Sequence, residues 1–272
     1  MKKTSILFFI GFVVSIVVFT STSCNPNNTP TPINIHDTII IHDTTHTNDT
    51  ICATNCFGAI GCYPFEGNAN DASGNGNNGT VIGATLTTGH KGHANSAYYF
   101  NKNVNTRIEL PNLSVFDNAG EISVSVWVKT DNVVGFGTTI LTTTPDVTTD
   151  RFQINVNWSG NPVNTNIFDY GNISTGRLVS PASTPTFDTW EHYVFIKSTT
   201  NSIMKIFKNG VLLASKTSST SISNKAKTLV LGGSPANTQH SDQLFKGSLD
   251  DLKIFNKALT DTEVLDIYNS EK

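Results

Sequence analysis

The stretch from Tyr63 to Thr80 concentrates groups that could do chemistry. After Tyr63-Pro64-Phe65 it reads Glu66-Gly67-Asn68-Ala69-Asn70-Asp71-Ala72-Ser73-Gly74-Asn75-Gly76-Asn77-Asn78-Gly79, almost all Asn, Asp, Ser and Gly. Such residues tolerate a left-handed backbone and bond their own main chain, so the loop can fold tightly without helix or sheet. Asp71, the side-chain amides and the free carbonyls also offer the hard oxygen donors that Ca2+ takes. No Asp-x-Asp-x-Asp-Gly loop is present, so from spacing alone the stretch reads first as a turn that uses Asn and Gly for geometry.

Other reactive residues point to less. His36, His42 and His46 with Asp37 and Asp43 could chelate a transition metal. They belong to a Thr/Asn-rich stretch with a repeated Ile-His-Asp-Thr, which reads as a polar stalk. Retaining glycoside hydrolysis needs carboxylates alternating onto one strand face, as in E-x-D-x-x-E. Glu109, Glu121 and Glu191 each stand in strand-like runs without such partners. No G-x-S-x-G elbow or H-E-x-x-H helix occurs either, and the chain is not expected to be an enzyme. A formal net charge of −3 gives no electrostatic case for nucleic acid.

The 272 residues divide by composition. Residues 1–24 form a leader: Lys2 and Lys3, the apolar run Ile6 to Phe19, then Ser21-Thr22-Ser23 before Cys24. Small residues just before a Cys resemble the lipobox of bacterial lipoproteins, in which that Cys is lipidated and becomes the first residue. Ser21 departs from the pattern, which prefers an aliphatic residue there; ordinary signal-peptidase cleavage nearby is the alternative. The apolar run is too short to span a bilayer well. The expectation is an exported protein anchored by lipid in the bacterial envelope, on the outer membrane. Residues 25–56 are a Thr/Asn/Pro-rich tether. Of the remaining cysteines, an oxidising compartment permits Cys52–Cys56 or Cys56–Cys62, and the sequence does not choose. A zinc site is rejected for want of paired C-x2-C units.

Residues 57–272 must position whatever the loop holds, and they read as β throughout. Ile122, Val124, Val126 and Val128 alternate with polar residues and share one face. Further runs are 106–110, 152–158, 190–197, 203–208, 211–215 and 228–231, separated by Asn, Gly and Pro, as in an antiparallel sandwich. Asn209-Gly210 predicts a type I′ hairpin. Thr260-Asp261-Thr262-Glu263 is a capping box, with Leu259 and Val264 as its hydrophobic staple, opening one short terminal helix.

Several of these segments together resemble bacterial laminin-G-like (concanavalin A-like) jelly-roll domains. They are the Tyr63–Gly79 stretch, Gly83-Ala84-Thr85-Leu86, Ala94 to Phe100, Ile122 to Lys129, Trp190-Glu191-His192-Tyr193-Val194, Phe207 to Gly210, and Gly247 to Thr260. The resemblance implies an all-β, antiparallel two-sheet jelly-roll sandwich with a short C-terminal helix. It implies a structural Ca2+ where the first loop meets the last strand, on Asp71 and Asp250. Strand alternation places Asp250 with Leu252 and Ile254, and a carboxylate on an apolar face needs a cation or donors; Asp251 is expected in solvent. The resemblance also implies glycan binding, with a surface protein as the alternative partner. Trp158, Phe168 and Tyr170 are the candidate stacking rings, with ordinary sandwich packing of Trp158 and Phe168 as the equal alternative, and Asp169, Asn172 and Arg177 are the candidate polar contacts.

Overall fold

The computed structural model describes residues 55–111, 113, 120–132, 138–144, 147–158, 164–223, 228–233 and 244–272. The leader with Cys24, the tether histidines and Cys52 lie outside them. The described residues form the expected sandwich of two antiparallel sheets, one of eight strands and one of seven.

Sheet A runs β13 (Val211–Thr217), β12 (Ile203–Lys208), β11 (Trp190–Ser198), β6 (Glu121–Thr130), β15 (Gly247–Phe255), β4 (Ala97–Phe100), β3 (Thr85–Thr87). The short β1 (Gly61–Tyr63) also pairs with β15. Sheet B runs β10 (Arg177–Val179), β9 (Thr165–Gly171), β8 (Arg151–Trp158), β7 (Thr139–Thr144), β14 (Thr228–Leu231), β5 (Arg107–Leu110), β2 (Thr80–Ile82). Ile122, Val124, Val126 and Val128 face inward with Tyr193, Phe195, Met204 and Ile206 of sheet A, meeting Phe152, Ile154, Phe168 and Tyr170 of sheet B. Each such side chain removed from water contributes about 1.5–3 kcal/mol, which makes this the dominant stabilisation.

A second apolar cluster lies on the other face of sheet A. Val194, Ile196, Phe207 and Phe255 are covered by Leu259, Val264 and Ile267 as helix α2 (Asp261–Glu271) lies across the strands. Both arms of the capping box form: the Thr260 hydroxyl accepts from Glu263 N–H, and the Glu263 carboxylate accepts from Thr260 N–H. Cys56 and Cys62 form a disulfide at the margin of this cluster. In the β12–β13 hairpin, Asn209 and Gly210 take φ of 51° and 76°, as a type I′ turn requires. A Cβ on Gly210 would come within 2.9 Å of the Tyr268 ring, so α2 adds a packing reason for glycine there.

One departure from regular pleating matters for the site. Asp250 pairs with Trp127 and Lys253 with Ser125, so three steps of β15 span two of β6. Asp251 is the extra residue, at φ 45°. The bulge reverses the alternation: Leu249 and Leu252 both face the core, and Asp250 and Lys253 both face outward. The expected sharing of one face by Asp250, Leu252 and Ile254 is therefore corrected. Asp250 is buried, but under α2 and the Gly89–His90 turn, not in the sandwich core.

Candidate functional site

The Asp71 loop is built around its carboxylate. Oδ1 accepts from the N–H groups of Cys62 and Ser73, both at 2.9 Å. Oδ2 accepts from Ser73 Oγ at 2.8 Å and Asn77 N at 3.0 Å. The side chains of Ser73, Asn75 and Asn77 all donate to the Ile60 carbonyl, and Tyr63 Oη donates to the Asn77 carbonyl at 2.7 Å. Burial pushes the Asp71 carboxyl up, but the bonds from Cys62, Ser73 and Asn77 outweigh it and hold the group below its ordinary value. This is a knot that ties the loop to β1. A calcium ion would have to displace donors from both oxygens, so the loop does not fit the expected ligand set.

Asp250 belongs to a different cluster. Its Oδ2 accepts from the His90 N–H at 2.9 Å and lies 2.7 Å from His90 Nδ1; its Oδ1 accepts from Asp251 N. His90 Nε2 donates to the Glu271 carbonyl at 3.0 Å, so one proton is shared along the Nδ1–Oδ2 line. The His90 ring stacks on Trp127 with centroids 4.4 Å apart. Trp127 Nε1 donates to Glu271 Oε2 at 2.9 Å, and Lys253 Nζ sits 2.6 Å from Glu271 Oε1 and 3.6 Å from Asp251. Behind them His192 pairs with Ser125 Oγ at 2.8 Å. Burial first, then the charges of Lys253 and His90, push its imidazole down to about 3, so it is neutral.

Ligand atoms of His90, Asp250 and Asp251 lie within 4.8 Å of one another, the one such group among the described residues, and Asp71 is not in it. The group is a possible metal-binding cluster, but a ring nitrogen with two carboxylates suits a transition ion better than Ca2+. Lys253 and Lys91, 3.6 and 3.9 Å from Asp251, already supply cations there. Nor is Asp251 in open solvent: its side chain is 13 % exposed.

The expected glycan-contacting residues separate by face. Phe168 and Tyr170 point into the core, edge-on to Phe152, and Phe168 also to Phe195. Fully buried, neither ring can stack on a sugar, which corrects the expectation of exposed rings. Trp158 is partly exposed at the end of β8, opposite Thr165. Asn172 caps the one-turn helix α1 (Ile173–Gly176), accepting from Ser174 N at 3.0 Å. On the face of sheet B turned from the core, Arg177 grips Asp169 at two points, Nε to Oδ1 and Nη2 to Oδ2, each 2.7 Å. Arg151 Nη1 lies 3.7 Å from the same carboxylate. The Asp169 bonds, against the burial that opposes them, raise the Arg177 guanidinium above its ordinary value. Gln153 and Asn155 share this face and are bridged by Thr139. The alternation Arg151-Phe152-Gln153-Ile154-Asn155-Val156 carries this polar face legibly. His90, Lys253 and Glu271 had no such signal.

The model of the concanavalin A-like lectin/glucanase superfamily matches residues 101–265, more than half of the chain. The chain belongs to that superfamily. Its match starts beyond the Asp71 loop and His90. As a superfamily member it is similar in fold to domain 4 of AbnA, a GH43 extracellular arabinanase from Geobacillus stearothermophilus, in complex with arabinotriose. That likeness has 23 % identity and a TM-score of 0.58 over 77 % of this chain and 98 % of the other. It is also similar to the binding domain of botulinum neurotoxin DC in complex with rat synaptotagmin II, at 16 % identity and a TM-score of 0.59, covering 79 % of this chain and 52 % of the toxin domain. The binding domain of Paraclostridial Mosquitocidal Protein 1 gives 17 % identity and a TM-score of 0.59, at 79 % and 52 % coverage. This chain thus spans about half the length of these toxin domains. No curated protein sequence matches this chain.

Proposed function

We propose that this chain is a non-catalytic, exported and membrane-anchored module that binds carbohydrate. The reading is carried by the outward face of sheet B. Arg177, 35 % exposed, is oriented by the buried Asp169, and Arg151, Gln153 and Asn155 lie buried on the same face. A guanidinium fixed in this way turns its remaining N–H donors towards sugar hydroxyls, and its buried neighbours hold its orientation before any ligand arrives. The partly exposed ring of Trp158 offers a stacking surface at the end of β8. Two similarities in fold add support, to a domain bound to arabinotriose and to toxin binding domains. Glu109 is engaged by Arg107, Glu121 by Ser198 and Thr200, and Glu191 by Lys208 and Tyr193, on three different strands, which fits a site without a hydrolytic carboxylate pair.

The test is a polysaccharide panel, arabinotriose included, probed with the full chain in detergent, with Ca2+ and with EDTA. Binding is expected in both buffers, because the sheet B contacts need no metal. Arg177→Ala should weaken it roughly tenfold or more, the range for a lost charge-assisted hydrogen bond. A blank panel from folded protein would overturn the reading. It would favour a protein partner instead, for which Val211, Leu212 and Leu265 are exposed apolar candidates.

The anchor is part of the proposal. Cys24 is expected to incorporate an alkyne-tagged fatty acid in a bacterial host, and Cys24→Ala to lose the label and the membrane fraction together. Label and membrane fraction retained by Cys24→Ala would overturn Cys24 as the anchor.

A further inference from the structure

The outer face of sheet A beyond α2 carries a second array that neither the helix nor the core uses. Register places Trp190 opposite Lys129, Lys129 opposite Ser248, Ser248 opposite Tyr99, and Tyr99 opposite Thr85. This is one straight row across β11, β6, β15, β4 and β3. At about 4.8 Å per strand the two aromatic residues stand roughly 14 Å apart. Lys129 Nζ lies 5.1 Å from the Trp190 ring centroid, and no carboxylate among the described residues pairs with it. The His90 ring, edge-on at 6.3 Å, steadies the indole from the side of the buried cluster. At the other end Tyr99 Oη donates to Asp131 Oδ2 at 3.0 Å, and Lys246 Nζ lies 3.3 Å from the same oxygen. Both rings, both lysines and Asp131 are partly exposed.

We propose that this row is a second ligand site, for an acidic oligosaccharide whose sugars carry carboxylates. A sugar ring lies on the exposed surface of Trp190, and its carboxylate accepts from Lys129, which leaves its place over the indole to meet it. The next sugars pass over the buried Ser248 towards Tyr99, where Lys246 meets a second carboxylate. Charge argues for the acid: the row holds two ammonium groups to one carboxylate in a chain whose net charge is −3. Length argues for an oligomer, since the row is several strands wide. A neutral sugar would leave Lys129 without a counter-charge.

The experiment titrates the full chain in detergent with oligogalacturonate and, in parallel, with arabinotriose. Lys129→Gln and Trp190→Ala are each expected to weaken oligogalacturonate about tenfold, with Trp190→Phe retaining most of the affinity. Binding of the acid should also fall as salt rises. Lys205→Gln, on the α2 side of the same sheet, controls for diffuse attraction and should change nothing. Arg177→Ala should leave the acidic ligand alone, so failure here and failure of the sheet B reading are told apart. Equal losses in Lys129→Gln and Lys205→Gln would overturn the proposal. So would oligogalacturonate binding untouched by both row variants, or none to folded wild type.

Discussion

Lys253→Met is expected to destabilise the domain by about 3–5 kcal/mol, because it strands the buried Glu271 carboxylate and removes a partner of the half-buried Asp251. The Lys253 side chain is 2 % exposed and the Glu271 side chain 6 %. Burial alone would push the ammonium down, but Asp251 and Glu271 hold it above the ordinary lysine value. A group raised in this way contributes stability that is fully present below its unfolded pKa and is lost as pH rises through the folded one. Wild type should therefore weaken on the alkaline side, from the ordinary lysine range upward, through a step that the variant lacks. Denaturant unfolding measures the first effect, and melting temperature against pH the second. Adding Glu271→Gln to Lys253→Met should recover part of the loss, since the removed charge no longer needs a partner. A single-variant loss below about 1 kcal/mol would mean that water reaches the pair and that it behaves as an exposed one.

The second large effect is at Asp71. Asp71→Ala removes the acceptor of four hydrogen bonds, one from Cys62 in β1 and three from Ser73 and Asn77 within the loop. A loss of about 2–3 kcal/mol is expected, more than one bond and less than the sum, because water reaches part of the loop. The folded carboxyl sits below its ordinary value. Its contribution is therefore present above the unfolded carboxylate pKa near 4 and drains away as pH falls through the folded one. Melting temperatures from pH 6 down to pH 2 should drop less steeply in the variant than in wild type. Parallel acid slopes would show that the carboxylate is not what the loop is built on.

How far the sequence could be read depended on how many faces of each strand are buried. In β6, Ser123 and Ser125 mark one side and Ile122 to Val128 the other, so period two gave the core side at once. In β9 every residue from Thr165 to Gly171 is buried. Alternation alone could not say whether Phe168 and Tyr170 faced the core or a ligand. The capping box, the Asn209-Gly210 hairpin and the α2 staple depend on neighbours in the chain, and all were legible. Asp250 was misplaced because a bulge leaves little mark in sequence: Asp250-Asp251 looks like two ordinary strand residues until one adopts φ 45°. The partners that define its cluster are 160 residues away at His90 and at the far end of α2. Nothing local announces such contacts. The fold was therefore legible from patterns within each strand, whereas the polar cluster was set by tertiary juxtaposition.

The position of β15 has a consequence for how such a chain comes into being. The last strand is not an edge; it lies between β6 and β4 and also receives β1. Until the final segment leaves the ribosome, sheet A consists of two pieces with no ladder between them. The N-terminal knot likewise has no strand against which to dock. The two pieces of sheet A are thus held apart by topology, and the pairing that joins them is postponed to one late event. A sheet of that kind stays open until its last strand is made, which suits the export proposed above, since a translocation channel passes unfolded chain.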